Sequence, residues 1–379
     1  MKVCDIVLNS IWCDPRVRKQ IIEYQNNGIE VECVGLKCER YDAEKIKTIP
    51  CPVTIVETDP RYVGKQKNIF RKLKRESLRE KALVDAICNT KPDVIHANDL
   101  NALLPAYKAA RKLGCKLVFD SHEIYVENFF LGGKKMYARY LKSKEKKICK
   151  KLDVMVCVSH AAAEYFANEY KIEKPMVVTN CSLKSEANFE RTGKNEGFEI
   201  LNHGQFYEGR GYELMIETAR LLGDYPEIKM ALRGYGRIEK KLHEMAEGLE
   251  GESVIFHPPV LVKELIPAAS RSMVGVAITL PICMNFKLSV SNKLFEYASA
   301  GLPVIMSDIP EHRYLNEKYN FGIIIPENTP EAFAEAAIKL YTDKELYAKC
   351  AEGAKRLSDE VNWESDFAKL INKEREILK

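Results

Sequence analysis

Several features that would by themselves assign a class are missing from this chain. No run of about 18 apolar residues could span a membrane, and residues 1–7 enter a strand-like sequence without the apolar stretch of a signal peptide. The twelve cysteines form no Cys-x-x-Cys pair and have no His partner at ligand spacing. Cys4, Cys33 and Cys157 lie inside apolar runs, which is typical of small core residues in a reducing compartment. We therefore expect a cytoplasmic protein.

A strong net charge is also missing, since the chain carries only +4, but its basic residues are unevenly distributed. Residues 134–151 contain nine Lys or Arg and a single acid, Glu145. Residues 61–81 contain two acids and the basic residues Arg61, Lys65, Lys67, Arg71, Lys72, Lys74, Arg75, Arg79 and Lys81. With the apolar residues between them, either segment could lie on an anionic membrane surface, or form a solvated helix face. Nucleic acid is not an expected partner, because neither segment accompanies a recognition motif.

The apolar runs form two series separated by a polar segment. A length of 379 residues exceeds what one hydrophobic core usually organises. Short strand-like runs alternate with helix-length segments, which predicts parallel sheets with helices on both faces. Residues 182–197, rich in polar residues and Gly, are predicted to link domains at 1–181 and 198–360. The predicted strands are 3–8, 31–36, 53–56, 94–97, 117–120 and 154–158, then 200–203, 229–233, 254–257, 274–279, 304–307 and 322–325.

The most informative segment is 291–305, which joins a polar loop, a helix and a buried strand. Ser291 is a plausible N-cap, and Asn292 and Lys293 begin the helix. Free backbone N–H groups, the positive end of the helix dipole and an ammonium would then point towards a diphosphate. Glu296 lies one turn further on, where its carboxylate can accept two hydrogen bonds from a ribose diol. The alternative is an ordinary helix-turn-strand unit of an α/β protein, ended by Gly301.

A second polar loop, at 204–212, follows the predicted strand 200–203 and precedes a helix. Glycines before a helix, here Gly204 and the pair Gly234 and Gly236 after the next strand, let a ligand approach the backbone. The planar fork of Arg210 can grip a phosphate, although it could also be a surface turn residue. A Gly-x-Gly pair alone is weak evidence.

The run Lys293, Glu296, Gly301, Pro303 and Val304 resembles the donor signature of retaining glycosyltransferases with the GT-B fold, family four, also called glycosyl transferases group 1. Ser299 stands where the family usually has Ala. The resemblance implies two Rossmann-like domains facing across a cleft, with residues 361–379 as a helix that returns to the first domain. It also implies retaining transfer of a sugar from a nucleoside diphosphate donor, most commonly UDP, with no metal and no cofactor. The chain contains no Asp-x-Asp pair.

Besides Ser299, the chain departs from the family pattern at three positions. Gln205 stands where Arg is usual, and Arg210 takes the position of a Lys. We therefore expect Arg210 and Lys293 to clamp the departing diphosphate as catalytic residues, with Gln205 giving a neutral contact. Leu288 replaces a second Glu that holds the donor sugar in relatives. Contacts to the sugar hydroxyls would then come from Asn285, Lys287, Ser289 and backbone amides near 290–291.

Two histidines of the first domain, His96 near the end of the predicted strand 94–97 and His122 after the strand 117–120, lie towards the edge where open α/β sheets bind ligands. The resemblance gives His122 a role beside the donor sugar. His96 and Asp99 are acceptor-side candidates, although His96 could equally bond backbone carbonyls within its loop.

Two further residues complete the predicted site. The resemblance places His257 in the loop that cradles the base. Arg16 could reach the diphosphate or an anionic acceptor, or simply belong to a helix capped by Asp14 with Pro15 at its first position.

These residues predict transfer of a sugar to a hydroxyl of a lipid-linked or glycan acceptor, and the basic segments are compatible with a peripheral enzyme at the inner membrane face. Two alternatives remain open. A non-hydrolysing nucleotide-sugar epimerase could use Asp99, His122 and Glu123, and a degenerate nucleotide-binding scaffold would account for Gln205 and Leu288.

Overall fold

The computed structural model describes residues 1–9, 11–37, 41–59, 61, 68–128, 133–190, 195 and 197–379. The basic residues Lys65 and Lys67 and part of the predicted linker lie outside the described residues. The described chain divides into two compact units. The first contains Met1–Val178 and Asp366–Lys379, and the second contains Thr179–Ser365.

The first unit is built on a seven-stranded parallel sheet with the order β3-β2-β1-β4-β5-β6-β7. The strands are β1 (Lys2–Val7), β2 (Glu30–Leu36), β3 (Val53–Val56), β4 (Val94–Asn98), β5 (Lys116–Ser121), β6 (Val154–Cys157) and β7 (Met176–Val177). The helices are α1 (Pro15–Asn26), α2 (Ala43–Ile46), α3 (Ile69–Thr90), α4 (Asp99–Leu113), α5 (Lys135–Cys149) and α6 (His160–Tyr170).

The second unit is built on a six-stranded parallel sheet with the order β10-β9-β8-β11-β12-β13. The strands are β8 (Phe198–Gln205), β9 (Ile228–Tyr235), β10 (Val254–His257), β11 (Val274–Ala277), β12 (Val304–Ser307) and β13 (Gly322–Ile325). The helices are α7 (Tyr212–Ala219), α8 (Glu239–Met245), α9 (Leu265–Ala269), α10 (Met284–Leu288), α11 (Asn292–Ser299), α12 (Pro310–Tyr319), α13 (Pro330–Thr342) and α14 (Lys344–Glu360).

The last helix, α15 (Trp363–Ile377), starts within the range of the second unit, and from Asp366 onward it belongs to the first. Trp363, Phe367 and Leu370 are buried, as expected from their helical spacing. Among the described residues no helix is long and apolar enough to cross a membrane.

The predicted strands are confirmed, with boundaries shifted by one or two residues in most cases. Central strands such as β1, β4 and β12 are almost completely buried, because helices cover both faces of a parallel sheet. This burial explains why these strands appear in the sequence as continuous apolar runs. The two-residue strand β7 was missed, because so short a segment has no periodicity to detect.

The order of the strands determines where a ligand can bind in each unit. In the first sheet the chain passes from β1 to β2 on one side and from β4 to β5 on the other. In the second sheet it likewise passes from β8 to β9 on one side and from β11 to β12 on the other. Such switch points open a crevice beyond the carboxyl ends of the two central strands. The loops that follow these strands therefore hold the candidate functional residues.

Close packing of α11 on the second sheet depends on Gly275 in β11. The ring of Tyr297 lies directly over this glycine, so that a β-carbon at position 275 would overlap ring atoms. Tyr297 is fully buried and has no room to retreat. The glycine therefore sets the depth at which α11 lies against the sheet.

We expect Gly275→Ala to destabilise the second unit by about 1–3 kcal/mol, because the added methyl overpacks the core beneath Tyr297. Denaturant unfolding measures the change. Gly223→Ala is the matched control, since a β-carbon there meets nothing within 4 Å, and it should cost less than about 0.5 kcal/mol. Equal stability of the two variants would contradict the packing argument.

Candidate active site

Glu296 in the second unit is fixed by a histidine at the end of the neighbouring strand. Its Oε2 atom lies 2.7 Å from Nε2 of His203 in β8. The His203 ring stacks on Tyr297 with centroids 4.6 Å apart, and its backbone N–H donates to the Tyr297 hydroxyl at 3.0 Å. The carboxylate is thus held at the carboxyl edge of β8. Sequence reasoning missed His203, although its position directly before Gly204 at the end of a strand was a usable signal.

Lys293, in the first turn of α11, is tied to β8 and to the start of α7. Its Nζ donates to Oδ1 of Asn202 at 2.7 Å and lies 3.3 Å from the hydroxyl of Tyr212. Asn202 in turn donates from its amide nitrogen to the carbonyl of Arg210 at 3.0 Å. Asn202 and Tyr212, neither of them predicted, therefore join Lys293 to Arg210.

The surroundings of Lys293 and Arg210 disfavour the charged forms of both side chains. Burial and the nearby charge of Arg210 lower the pKa of Lys293 to about 7, although Glu296 opposes the shift. Burial also lowers the pKa of Arg210, whose guanidinium lies 4.7 Å from the centre of the Phe286 ring. Two partly buried cations that repel each other form a site that an anion would stabilise.

The predicted glycines are explained in this structure by backbone packing. Gly204 has φ +126°, and a β-carbon there would lie 3.2 Å from Cε of Lys293. Gly234 has φ +149°, and a β-carbon would overlap the carbonyl of Gly204. At Gly236 it would overlap the backbone of Phe206. Only glycine lets the ends of β8 and β9 and the following loops approach this closely. Approach of a ligand to these glycines stays a prediction.

The remaining residues of the predicted donor site differ in their exposure. Ser291 occupies the N-cap position of α11, but its side chain makes no capping bond to that helix. Asn292 and Gln205 are exposed at the same edge as Lys293. His257 ends β10, and its Nε2 lies 2.8 Å from Oε2 of the buried Glu199. The structure thus groups Arg210, Lys293 and Glu296 around the end of β8, while His257 is held two strands away.

In the first unit, Arg16 lies in the interior. Its side chain is 2% exposed and forms a two-pronged ion pair with Asp120, at 2.8 Å from Nε and 2.9 Å from Nη2. Its third nitrogen donates to the carbonyl of Val178 at 2.9 Å. The other interpretation of this segment is confirmed, because Asp14 caps α1 by accepting from the backbone of Arg16 and Val17. We therefore remove Arg16 from the proposed donor site, since its guanidinium is already occupied in the interior.

His96, predicted on the acceptor side, is also completely buried. Its Nδ1 lies 2.8 Å from the hydroxyl of Tyr24, and its Nε2 lies 3.5 Å from Oδ2 of Asp120. Burial lowers the pKa of His96, but the nearby carboxylates of Asp120 and Glu374 outweigh it and raise the pKa to about 10. Burial therefore removes His96 from direct contact with an acceptor.

His122 and Asp99 meet at the carboxyl edge of the first sheet. Nε2 of His122 lies 3.1 Å from Oδ1 of Asn98 and 3.6 Å from Oδ2 of Asp120. Nδ1 lies 3.5 Å from Oδ2 of Asp99, whose other oxygen accepts the backbone N–H of His122 at 3.2 Å. Burial lowers the pKa of His122, but Asp99 and Asp120 raise it overall. Both ring nitrogens therefore face acceptors, and the arrangement favours a cation over a general base.

Asp99 itself has a strained backbone, with φ +64° in the left-handed region. Burial raises the pKa of its carboxyl group. Strain at the first residue of α4, at the switch point of the sheet, is the kind of feature that persists where a side chain must be aimed. Among the described residues, no group of three or more His, Cys, Asp or Glu is arranged to hold a metal ion.

Comparison with known proteins agrees with this architecture. Residues 17–182 match the model of Glycosyltransferase Family 4, and residues 197–343 match that of Glycosyl transferases group 1. No match was found among curated proteins. The fold and these two matches define a glycosyltransferase of the GT-B class. Within that class the chain belongs to Glycosyltransferase Family 4, the glycosyl transferases group 1, which confirms the predicted family, fold and enzyme class.

Several solved structures share the fold at low sequence identity. Sucrose-phosphate synthase from Thermosynechococcus elongatus is 14% identical, with a TM-score of 0.77 over 100% of this chain and 99% of its own. HepE from Anabaena, in complex with UDP and glucose, is 14% identical, with a TM-score of 0.73 over 98% of both chains. A TarM variant from S. aureus, in complex with Fondaparinux, alpha-GlcNAc-glycerol and UDP, is 12% identical, with a TM-score of 0.73 over 98% of this chain and 99% of its own.

Proposed function

We propose that this glycosyltransferase moves a sugar from a UDP-sugar to a hydroxyl of a glycan or glycolipid, with retention of the anomeric configuration. The first unit provides the acceptor side and the second binds the donor. The observation that carries the proposal is the grouping of Lys293, Arg210 and Glu296 at the carboxyl edge of β8. It joins two cations suited to a diphosphate with one oriented carboxylate suited to a ribose.

The choice of UDP is supported by the neighbours of similar fold. HepE was solved with UDP and glucose, and the TarM variant with UDP and alpha-GlcNAc-glycerol. Glu296 by itself recognises only the ribose, which UDP, GDP and ADP share. The proposal therefore commits to the sugar nucleotide as the donor class and to UDP as its first member.

The proposed reaction is a displacement on one face of the sugar. Arg210, Lys293 and the free N–H groups at the start of α11 stabilise the charge that develops on the departing diphosphate. The acceptor hydroxyl attacks the anomeric carbon from the side on which the nucleotide leaves. Its proton passes to an oxygen of the leaving phosphate, and His122 lies beside the donor sugar. The bond to the diphosphate breaks as the bond to the acceptor oxygen forms.

An acceptor carried on an anionic membrane would fit the surface of the first unit. Helix α5 exposes Met136, Tyr137 and Tyr140, and Lys144 lies 4.5 Å from the centre of the Tyr140 ring. Phe70 and Leu73 of α3 are exposed among Arg71, Lys72 and Lys74. Exposed apolar side chains mixed with cations are typical of helices that lie on anionic lipid. We propose that the enzyme binds such a membrane peripherally.

Removing the Glu296 carboxylate should weaken donor binding. UDP at a hundredfold above its dissociation constant should stabilise the wild type by about 2.7 kcal/mol, which is visible as a rise in Tm. Glu296→Ala should weaken UDP by about 1.5–3 kcal/mol, the value of a hydrogen bond to a charged group. A thermal-shift panel of UDP, GDP, ADP and their sugar conjugates measures both. Glu335→Ala, an exposed carboxylate of α13, is the control. A full Tm shift in Glu296→Ala would contradict the assigned site.

The lowered pKa of Lys293 predicts that UDP binding weakens as pH rises. In the free protein Lys293 loses its proton near its pKa of about 7. A diphosphate favours the ammonium, so binding above that pH takes up a proton and affinity falls by up to about tenfold per unit. Calorimetry in buffers of different ionisation enthalpy, from about pH 7 to 9, measures this uptake. Lys293→Arg should abolish it, because the guanidinium stays charged. Equal wild-type affinity at both ends of the range would refute the assignment.

Vesicle flotation tests the proposed membrane-binding surface of the first unit. The wild type should float with phosphatidylcholine vesicles that contain phosphatidylglycerol and stay behind with phosphatidylcholine alone, and high salt should abolish binding by screening. Met136→Glu combined with Tyr140→Glu should prevent flotation. Leu261→Glu combined with Val262→Glu is the matched control, since these side chains are 63% and 74% exposed in the second unit. No preference for anionic vesicles in the wild type would remove this proposal.

A further inference from the structure

A chain of buried polar contacts crosses the first unit from the terminal helix to the edge of the sheet. Oε1 of Glu374 in α15 accepts from the hydroxyl of Tyr24 at 2.7 Å. The same hydroxyl lies 2.8 Å from Nδ1 of His96, and Nε2 of His96 lies 3.5 Å from Oδ2 of Asp120. That oxygen lies 3.6 Å from Nε2 of His122. Glu374, Tyr24, His96 and Asp120 are each completely buried.

The positions of the hydrogen atoms follow from these contacts. Because Tyr24 donates its proton to Glu374, its oxygen is left to accept from Nδ1 of His96. Nδ1 of His96 therefore carries a hydrogen, and its other nitrogen faces Asp120. Gln20 donates to the same Asp120 oxygen at 2.7 Å and holds it in place. The imidazole of His96 is thus fixed between two carboxylates.

The ring of His122 is oriented by Asn98 and has Asp120, the far end of this chain, beside it. The amide nitrogen of Asn98 donates to Asp5 and to the carbonyl of Ile6, so its oxygen faces Nε2 of His122 at 3.1 Å. Nε2 of His122 therefore carries a hydrogen, and Oδ2 of Asp120 is the charged group beside it. A shift of Asp120 would change both the direction and the charge of His122.

Glu374 is only partly satisfied in the interior. Oε2 of Glu374 has no hydrogen-bond partner within the part of the chain that the structure describes. A buried carboxylate that is only partly satisfied costs free energy, and an apolar side chain at this position would generally cost less. A role in orienting the interior accounts for its presence better than packing does.

We propose that Glu374 is a positioning residue for His122: acting through Tyr24 and His96, it supports the Asp120 carboxylate, which Arg16 and Gln20 also hold and which lies beside the His122 ring. The inference rests on the proposed role of His122 beside the donor sugar. It assigns a function in the reaction to a residue of the terminal helix that touches no substrate.

The charges around the two histidines determine what removal of Glu374 does. His96 is held charged because Asp120 and Glu374 outweigh its burial, so loss of the Glu374 charge should lower the pKa of His96 from about 10. His122 shares Asp120 with His96, so its own titration should respond when His96 changes charge. Among the described residues, the groups that face His96 or His122 are Asp5 of β1, Arg16, Gln20 and Tyr24 of α1, Asn98 of β4, Asp99 of α4, Asp120 of β5, Glu123 next to His122, and Glu374 of α15.

The test is a ring-nitrogen NMR titration of the histidines in the full chain. In the wild type His96 should stay charged across the neutral range. In Glu374→Gln it should titrate within that range, and the His122 signal should show a second step at the same pH. Glu376→Gln is the matched control on the same helix, because Glu376 is 67% exposed and pairs only with Lys373 among the described residues, so both titrations should match the wild type. Tyr24→Phe, which cuts the same link, serves if Glu374→Gln does not fold.

A His122 titration curve in folded Glu374→Gln that matches the wild type would overturn the inference. UDP release from UDP-glucose, UDP-galactose and UDP-N-acetylglucosamine then distinguishes a failure of the proposed role of His122 from a failure of the positioning role of Glu374. Turnover of Glu374→Gln should fall about tenfold, with UDP affinity unchanged because the UDP-binding residues lie in the second unit. If His122→Ala keeps full turnover, the proposed role of His122 fails. If His122→Ala loses turnover while Glu374→Gln keeps it, only the positioning role of Glu374 fails.

Discussion

Both units depend on one constraint, the burial of every central strand of a parallel sheet beneath helices on both faces. Such strands can carry few polar side chains except near their carboxyl ends, where the chain leaves the sheet. Asn98 and Asp99 follow this rule in the first unit, as do Asn202 and His203 in the second. The candidate functional residues are therefore placed by strand ends and by the first turns of helices, which rigid packing holds in place.

The two units use this edge with opposite electrostatics. The second unit brings Lys293 and Arg210 together at a cost in burial, which lowers the pKa of both groups. The first unit instead surrounds the buried carboxylate of Asp120 with Arg16 and two histidines, and these charges hold its pKa well below its usual value despite burial. The edge of the second sheet thus carries cations that a bound anion would stabilise, while the charges at the edge of the first sheet are largely neutralised within the protein.

Local patterns were sufficient to predict the strands and the loops that carry the donor residues. The run from Lys293 to Val304 places a helix start, a carboxylate one turn later and a stop signal in fixed order, and the structure has all three. Arg16 shows the limit of such patterns, because an Arg after the first strand is equally compatible with a phosphate ligand and with an interior ion pair. Only the position of Asp120, 104 residues further along, selects the second.

The sequence by itself determined the family, the order of the strands and helices along the chain, and the placement of Lys293 and Glu296 on one helix. These follow from the spacing of apolar residues and from helix start and stop residues within about 15 residues, where backbone geometry leaves few choices. The tertiary structure decided that His203 holds Glu296, that His96 is buried, and that Glu374 contacts Tyr24. The residues in these contacts are separated by 93 residues for His203 and Glu296 and by 350 for Tyr24 and Glu374. Partners so far apart are selected by the packing of whole elements, which no local pattern contains.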